Sequence, residues 1–245
     1  MPALLLIAHG SRDPRHAATV AALVEEVRAQ RPGTEVATAY LDHCAPRIPQ
    51  VAERLAGTAD AVAVPLLLNR AFHAKHDIPA ALRAAGSRLP VADVLGPSPL
   101  LLAALDRRLA EAGLDVASPA VRARTGVVLA AAGSSDPAAD TATHAVAAEW
   151  RRTRGWAAVE VAYASAAGPR VPDALAALRA AGAELTAVAP YLLAPGLLPD
   201  RIAAAADGAD LVADVLGPAP ELAALLLQRH DEARRTVQAV PALTA

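Results

Sequence analysis

His9, Asp42 and His73 each stand just past an apolar run, the runs covering residues 3–8, 35–41 and 61–68. An imidazole takes up a proton near neutral pH and, when neutral, offers a lone pair to a metal. Two imidazoles and a carboxylate therefore suit a divalent transition metal with open positions, or a pair of proton acceptors beside an acidic group. Taken singly, each is an ordinary polar residue at a strand end; their convergence carries the reading. His76 lies three residues past His73 and can share a helix face with it, or simply begins the next helix. Ser11 either holds a ligand or caps a helix start. Arg12, Arg70 and Lys75, the single lysine, flank these residues, and solvated surface charge is the plain reading of each. If Asp42 faces the site, strand alternation turns His43 away and brings back Cys44, the single cysteine, as a cavity wall or a buried thiol. His16, His144 and His230 read as surface helix residues.

Convergence needs a scaffold. Short apolar runs alternate with helical patterns such as Val20, Leu23, Val24 and Val27, which predicts a parallel sheet covered on both faces. Ligands of such sheets bind beyond the carboxyl ends of the strands, where His9, Asp42 and His73 would meet. A fourth apolar run covers 90–95. Asp13-Pro14 reads as a helix cap followed by a first-turn proline.

The scaffold occurs twice. Val91-Ala92-Asp93-Val94-Leu95-Gly96-Pro97 recurs as Val212-Ala213-Asp214-Val215-Leu216-Gly217-Pro218, and Gly10-Ser11-Arg12-Asp13-Pro14 as Gly133-Ser134-Ser135-Asp136-Pro137. Pro46-Arg47-Ile48-Pro49 recurs as Pro169-Arg170-Val171-Pro172. This period is far longer than the roughly 20–50 residues of solenoids, so each copy should own a core. The reading is α/β, with homologous domains at 1–115 and 124–231, a link near 113–125 and a tail at 232–245. The second copy lacks the chemistry. Ala132 replaces His9, Leu197 or Leu198 replaces His73, and Asp42 falls where that copy reads Ser165-Ala166-Ala167 and looks shorter. One site, in the first copy, is expected.

Composition sets limits. The net charge of −2 over 245 residues gives no nucleic-acid footprint. One cysteine excludes an internal disulfide and fits a reducing cytosol. The apolar start is too short for a membrane span and lacks a signal-peptide pattern. No dinucleotide fingerprint, P-loop, nucleophile elbow or zinc-protease helix occurs.

Ala8-His9-Gly10-Ser11-Arg12, Tyr40-Leu41-Asp42, and Val64-Pro65-Leu66-Leu67-Leu68 leading to His73-Ala74-Lys75-His76-Asp77-Ile78-Pro79 resemble the sirohydrochlorin chelatases, class II enzymes in their long, two-repeat form. The resemblance spans roughly residues 1–230. It implies two flavodoxin-like or chelatase-like domains, each with about four parallel strands, facing each other across a cleft. It implies a cytoplasmic monomer that inserts Fe²⁺, or next Co²⁺, into sirohydrochlorin for siroheme or cobalamin. The metal is then a substrate, with no permanent cofactor, and nucleic acid and membrane are not partners. His9 and His73 would handle the metal and the pyrrole protons. Asp42 stands where iron-type members commonly carry Glu, and the shorter side chain is a departure. Ser11, Arg12, Arg70, Lys75 and His76 would meet the substrate. A non-catalytic carrier of metal or tetrapyrrole is the alternative, followed by a flavodoxin-like binder without metal. Sequence does not select the metal, because affinity rises from Fe²⁺ through Co²⁺ whatever the ligands.

Overall fold

The computed structural model describes residues 3–58, 60–69, 76–165 and 168–239. In chain order the elements of the first repeat are β1 (Ala3–Ala8), α1 (Pro14–Gln30), β2 (Glu35–Tyr40), α2 (Ile48–Leu55), β3 (Ala61–Pro65), α3 (Ile78–Ala84) and α4 (Pro99–Glu111). After the short α5 (Pro119–Arg122) the pattern returns as β4 (Thr125–Ala131), α6 (Pro137–Arg154), β5 (Ala158–Tyr163), α7 (Val171–Ala180), β6 (Leu185–Pro190), α8 (Leu197–Ala205), β7 (Leu211–Val212) and α9 (Pro220–Ala239).

Both sheets are parallel, ordered β2-β1-β3 and β5-β4-β6-β7. The central strands β1 and β4 are buried along their whole length, as continuous apolar runs require. In the first sheet the run at 90–95 makes only an isolated bridge, Ala63 to Val91, at the place where β7 stands in the second. Ala8 pairs with Tyr40 and Ile7 with Pro65, so the residues following β1, β2 and β3 leave from one edge. The α1 start forms as its sequence indicates: the Asp13 carboxylate accepts from Arg15 N, with Pro14 in the first turn. Asp136 and Pro137 repeat this at α6.

One face of the first sheet, with Leu5, Ile7, Ala39 and Ala63, packs on α2 and α3 through Ile48, Val51, Leu55, Ile78 and Leu82. Val128, Ala130, Ala162 and Val188 pack likewise on α7 and α8. The other faces are covered by an exchange. The chain packs as two compact units, residues 1–98 with 218–245, and residues 99–217. Thus α4, which ends the first repeat, lies against β6, while α9, which ends the second, lies against α1 and β3. Corresponding arginines hold both helices. Arg108 of α4 donates from Nε and Nη2 to the Leu216 carbonyl at 3.0 and 2.8 Å. Arg229 of α9 donates to the Val94 and Leu95 carbonyls at 2.9 and 3.1 Å. Arg31, at the end of α1, grips Asp231 of α9 through two bonds of 2.6 and 2.7 Å. Arg154, its counterpart on α6, pairs with Asp106 of α4 at 2.8 Å, and Trp150 Nε1 donates to the same carboxylate.

Two sequence expectations change here. Residues 232–239, read as tail, continue α9, while 240–245 lie outside the described residues. His230 is 0% exposed rather than on the surface, with Nδ1 3.1 Å from the Asp231 carboxylate. Alternation of turns every 3.6 residues places it on the same helix face as Leu222, Leu226 and Leu227, which are also buried. Among the described residues no helix is long and apolar enough to cross a membrane.

Candidate functional site

Two turns meet at the carboxyl edge of the first sheet. The turn after β2 is laced to the turn after β1: Leu41 N donates to the Ala8 carbonyl at 3.0 Å, and Asp42 N to the His9 carbonyl at 2.8 Å. Cys44 Sγ donates to the Ser11 carbonyl at 3.1 Å. Gly10 permits this approach. Its φ is +91°, and a Cβ there would overlap the Asp42 carbonyl oxygen. Ser11 Oγ accepts from Asp13 N at 3.0 Å, so this hydroxyl shapes the turn while Asp13 supplies the cap.

His9 is half-buried, with Nδ1 3.0 Å from the Gly10 carbonyl. That bond calls for a proton on Nδ1, which leaves the lone pair on Nε2. The ring centre of His43 lies 6.4 Å from that of His9, with the planes tilted by 44°. Asp42 turns outward, and its side chain is 57% exposed. Oδ1 accepts from His43 N at 2.8 Å and from Arg47 Nη2 at 3.1 Å, and Oδ2 lies 3.5 Å from His43 Nε2. The His43 backbone N–H, and after it Arg47, hold the Asp42 carboxyl below the usual carboxylate range.

The alternation argument for residues 42–44 therefore fails. β2 ends at Tyr40, and His43 takes a left-handed φ of +60° that no strand contains. Pro46 was the available sign, since a strand does not run on through a proline-closed turn. Cys44 is half-buried at the turn junction.

His16 was also misread as a surface residue. It is half-buried, its ring 6.4 Å from that of Tyr40, and its Nδ1 is buried without a hydrogen-bond partner. Burial first, and then the charge of His9, push its pKa below the ordinary histidine value. Burial also raises the Tyr40 hydroxyl, with Cys44 adding to it. Arg12 is exposed, as is His76, two residues before α3. His73, Arg70 and Lys75 lie outside the described residues. Among the described residues, no three His, Cys, Asp or Glu side chains gather as a metal cluster.

The second sheet presents the same edge, with no histidine in the turns after β4 and β5. Ala164 N and Ser165 N donate to the Ala131 and Ala132 carbonyls, both at 2.9 Å, as Leu41 and Asp42 do in the first repeat. Tyr163 N reaches Pro169 O just as Tyr40 N reaches Pro46 O, so the turn is of equal length and not shorter. Ser165 stands in the place of Asp42, and Ala132 in that of His9. Asp140 accepts from the Tyr163 hydroxyl, and His144 Nε2 lies 3.9 Å from the same carboxylate.

Comparison with known proteins agrees with the duplication. The CbiX family model matches residues 3–112 and again 126–233. The chain is 29% identical over 209 residues to a sirohydrochlorin ferrochelatase of Priestia megaterium, covering 82% of this chain and 77% of that protein. It is 27% identical over 221 residues to a sirohydrochlorin cobaltochelatase of the same organism, covering 82% and 67%. Among solved structures, SirB from Bacillus subtilis with Fe³⁺ superposes with a TM-score of 0.81 at 24% identity, over 97% of this chain and 98% of that one. At that identity the likeness bears on the fold.

Proposed function

Because the chain belongs to the CbiX family, we propose that it inserts a divalent metal ion into sirohydrochlorin and releases the two pyrrole protons. The observation that carries this reading is the edge of the first sheet. There His9 has its Nδ1 tied to a backbone carbonyl and a second imidazole 6.4 Å away, while the homologous edge of the second sheet has Ala132 instead. The relatives named above act as ferro- and cobaltochelatases, which supports the same reaction here.

Insertion exchanges two N–H protons for one metal ion, so the site must deliver a cation and accept protons. A neutral imidazole does either. In this reading His9, through Nε2, and His73 hold the ion and take the protons in turn. The ion passes through as substrate. Arg12, Arg70, Lys75 and His76 supply positive charge or donors for the substrate's carboxylates, which a bare histidine pair lacks. Ser11 contributes through its backbone and through the turn that its hydroxyl shapes. Resemblance to the iron-type members puts Fe²⁺ first and Co²⁺ second; the shared donor set binds both, so supply decides between them.

The test is the initial rate of metal insertion, followed by the absorbance of the macrocycle with Fe²⁺ or Co²⁺. His9→Ala and His73→Ala should each lower it by about 10²-fold, the scale of a lost general base. Thermal stability should stay near wild type, since His9 lies in a turn outside the core. Near-normal turnover in either variant defeats the assignment, and a wild-type rate no faster than the spontaneous one defeats the activity.

A further inference from the structure

We propose that His43 is a metal-handling residue of this site. Its imidazole, opposite that of His9, takes the incoming divalent ion, and Asp42 positions His43 instead of binding the ion. The inference deepens the chelatase reading and rests on it for the identity of the ion, but its argument is geometric.

Metal–nitrogen bonds of about 2.0–2.1 Å put each ring centre about 3.2 Å from the ion, so two imidazoles sharing one ion have centres about 5.2 Å apart at a tetrahedral angle and about 6.4 Å apart when they oppose each other across it. The 6.4 Å between the His9 and His43 ring centres matches the opposed arrangement. The backbone that delivers His43 is specific. A left-handed φ of +60° is uncommon for a residue with a Cβ, and here it is held by the bonds of residues 41, 42 and 44 to the β1 turn. Gly10 supplies the room for that contact.

Asp42 is engaged elsewhere. Oδ1 accepts from the His43 backbone and from Arg47, and Oδ2 faces His43 Nε2 at 3.5 Å. A carboxylate beside one ring nitrogen fixes the ring and raises the basicity of the other, the arrangement typical of metal-bound histidine. Nδ1 of His43 is then the nitrogen for the ion. The His43 side chain remains 33% exposed, which suits the outer of two imidazoles, the one that meets an ion arriving from solvent. The repeats carry a further argument. His9 and Ala132 are 123 residues apart, as are His43 and Ala166. Both imidazoles become alanine together, while the backbone bond that seats the turn survives as Ser165 N to Ala132 O.

The test uses the full chain and Co²⁺ alone. His43→Asn is the preferred variant because asparagine tolerates the left-handed conformation, so the turn should keep its shape. Calorimetric titration should show Co²⁺ affinity lowered about 100-fold in His43→Asn and about 10-fold in Asp42→Asn, the latter being the scale of a lost supporting contact. Proton NMR of the Co²⁺ complex should lose one hyperfine-shifted imidazole N–H signal in His43→Asn and none in Asp42→Asn. An unchanged signal count in His43→Asn, or an affinity loss in Asp42→Asn at least as large as in His43→Asn, overturns the proposal. Neither readout involves the macrocycle. A wild-type chain that binds Co²⁺ through His43 yet fails to metallate sirohydrochlorin sinks the chelatase reading and leaves His43 standing. Normal Co²⁺ binding in His43→Asn, with normal wild-type chelation, sinks only His43.

Discussion

The two sheet edges share a backbone and differ in chemistry. Both have a glycine with φ near +90° after the central strand, Gly10 and Gly133. In both, the next strand's turn donates two backbone N–H groups to that strand end, and an arginine (Arg47 or Arg170) donates to a carbonyl at the end of β2 or β5. Only the first edge carries histidines in these turns, His9 and His43. The hydrogen bonds that build such an edge are therefore separable from the side chains that act on it, and one copy can keep the first while losing the second. The exchange of α4 and α9 adds a reason to retain the copy without His9 and His43: it provides the helix that covers the other.

That interdependence gives the largest expected effect. A fragment ending at residue 118 lacks α9, whose Leu222, Leu225, Leu226 and Leu227 are buried. Each buried leucine contributes about 1.5–3 kcal/mol, so the loss rivals the roughly 5–15 kcal/mol that stabilises a whole domain. Circular dichroism should find the fragment largely unfolded. A cooperative melt would mean that the first repeat is independent and that the exchange is dispensable.

Next come the paired glycines. Gly10→Ala and Gly133→Ala each force a Cβ into a left-handed backbone, at about 1–3 kcal/mol. Gly10→Ala also drives the Asp42 carbonyl away and with it the turn bearing His43. Both variants should melt at lower temperature, but only Gly10→Ala should weaken Co²⁺ binding, by about ten-fold or more. Equal affinities in the two would sever the turn from the site.

His16 sharpens the contrast by pH, because the matching residue of the second repeat is Ala139. Its folded pKa lies below the unfolded value of about 6.5. Its contribution is then full above pH 6.5 and is lost as pH falls through the folded pKa. His16→Ala should flatten the decline in stability measured by urea unfolding below pH 6.5. An unaltered slope would show that burial of this ring has no titration consequence.

The smallest effect concerns the clamps on the exchanged helices. Arg31 first, and then His230, draw the Asp231 carboxyl down to about 2. Asp231 therefore stabilises the fold above its unfolded pKa near 3.9, and that stability is lost as pH falls toward 2. With the carboxylate partly exposed, screening reduces the contribution to about 1 kcal/mol. Asp106, in the other clamp, is shifted upward by burial, so its stabilisation is present at low pH and fades as pH rises through its folded pKa. Asp231→Asn and Asp106→Asn should change acid unfolding curves in opposite senses, and curves moving the same way would undo the distinction.

Much of this was legible in the chain itself. Repeats, strand runs and the Asp-Pro helix starts are local patterns, and the backbone follows them because each is satisfied within a few residues. The position of His9 at the edge of a parallel sheet follows from the same patterns. The direction of His43 did not, because it depends on a turn locked to another strand through Gly10, and period-two alternation has no meaning past Tyr40. The burial of His16 and His230 likewise depends on neighbours distant in sequence. Sequence alone, through the repeat pattern, assigned residues 99–111 to the first copy and 220–231 to the second. Only the tertiary structure decided which sheet each helix covers, because an apolar face specifies that it be buried and not against what; in the fold it reaches, Arg108, Arg229, Arg31 and Arg154 meet partners about 48 to 200 residues away.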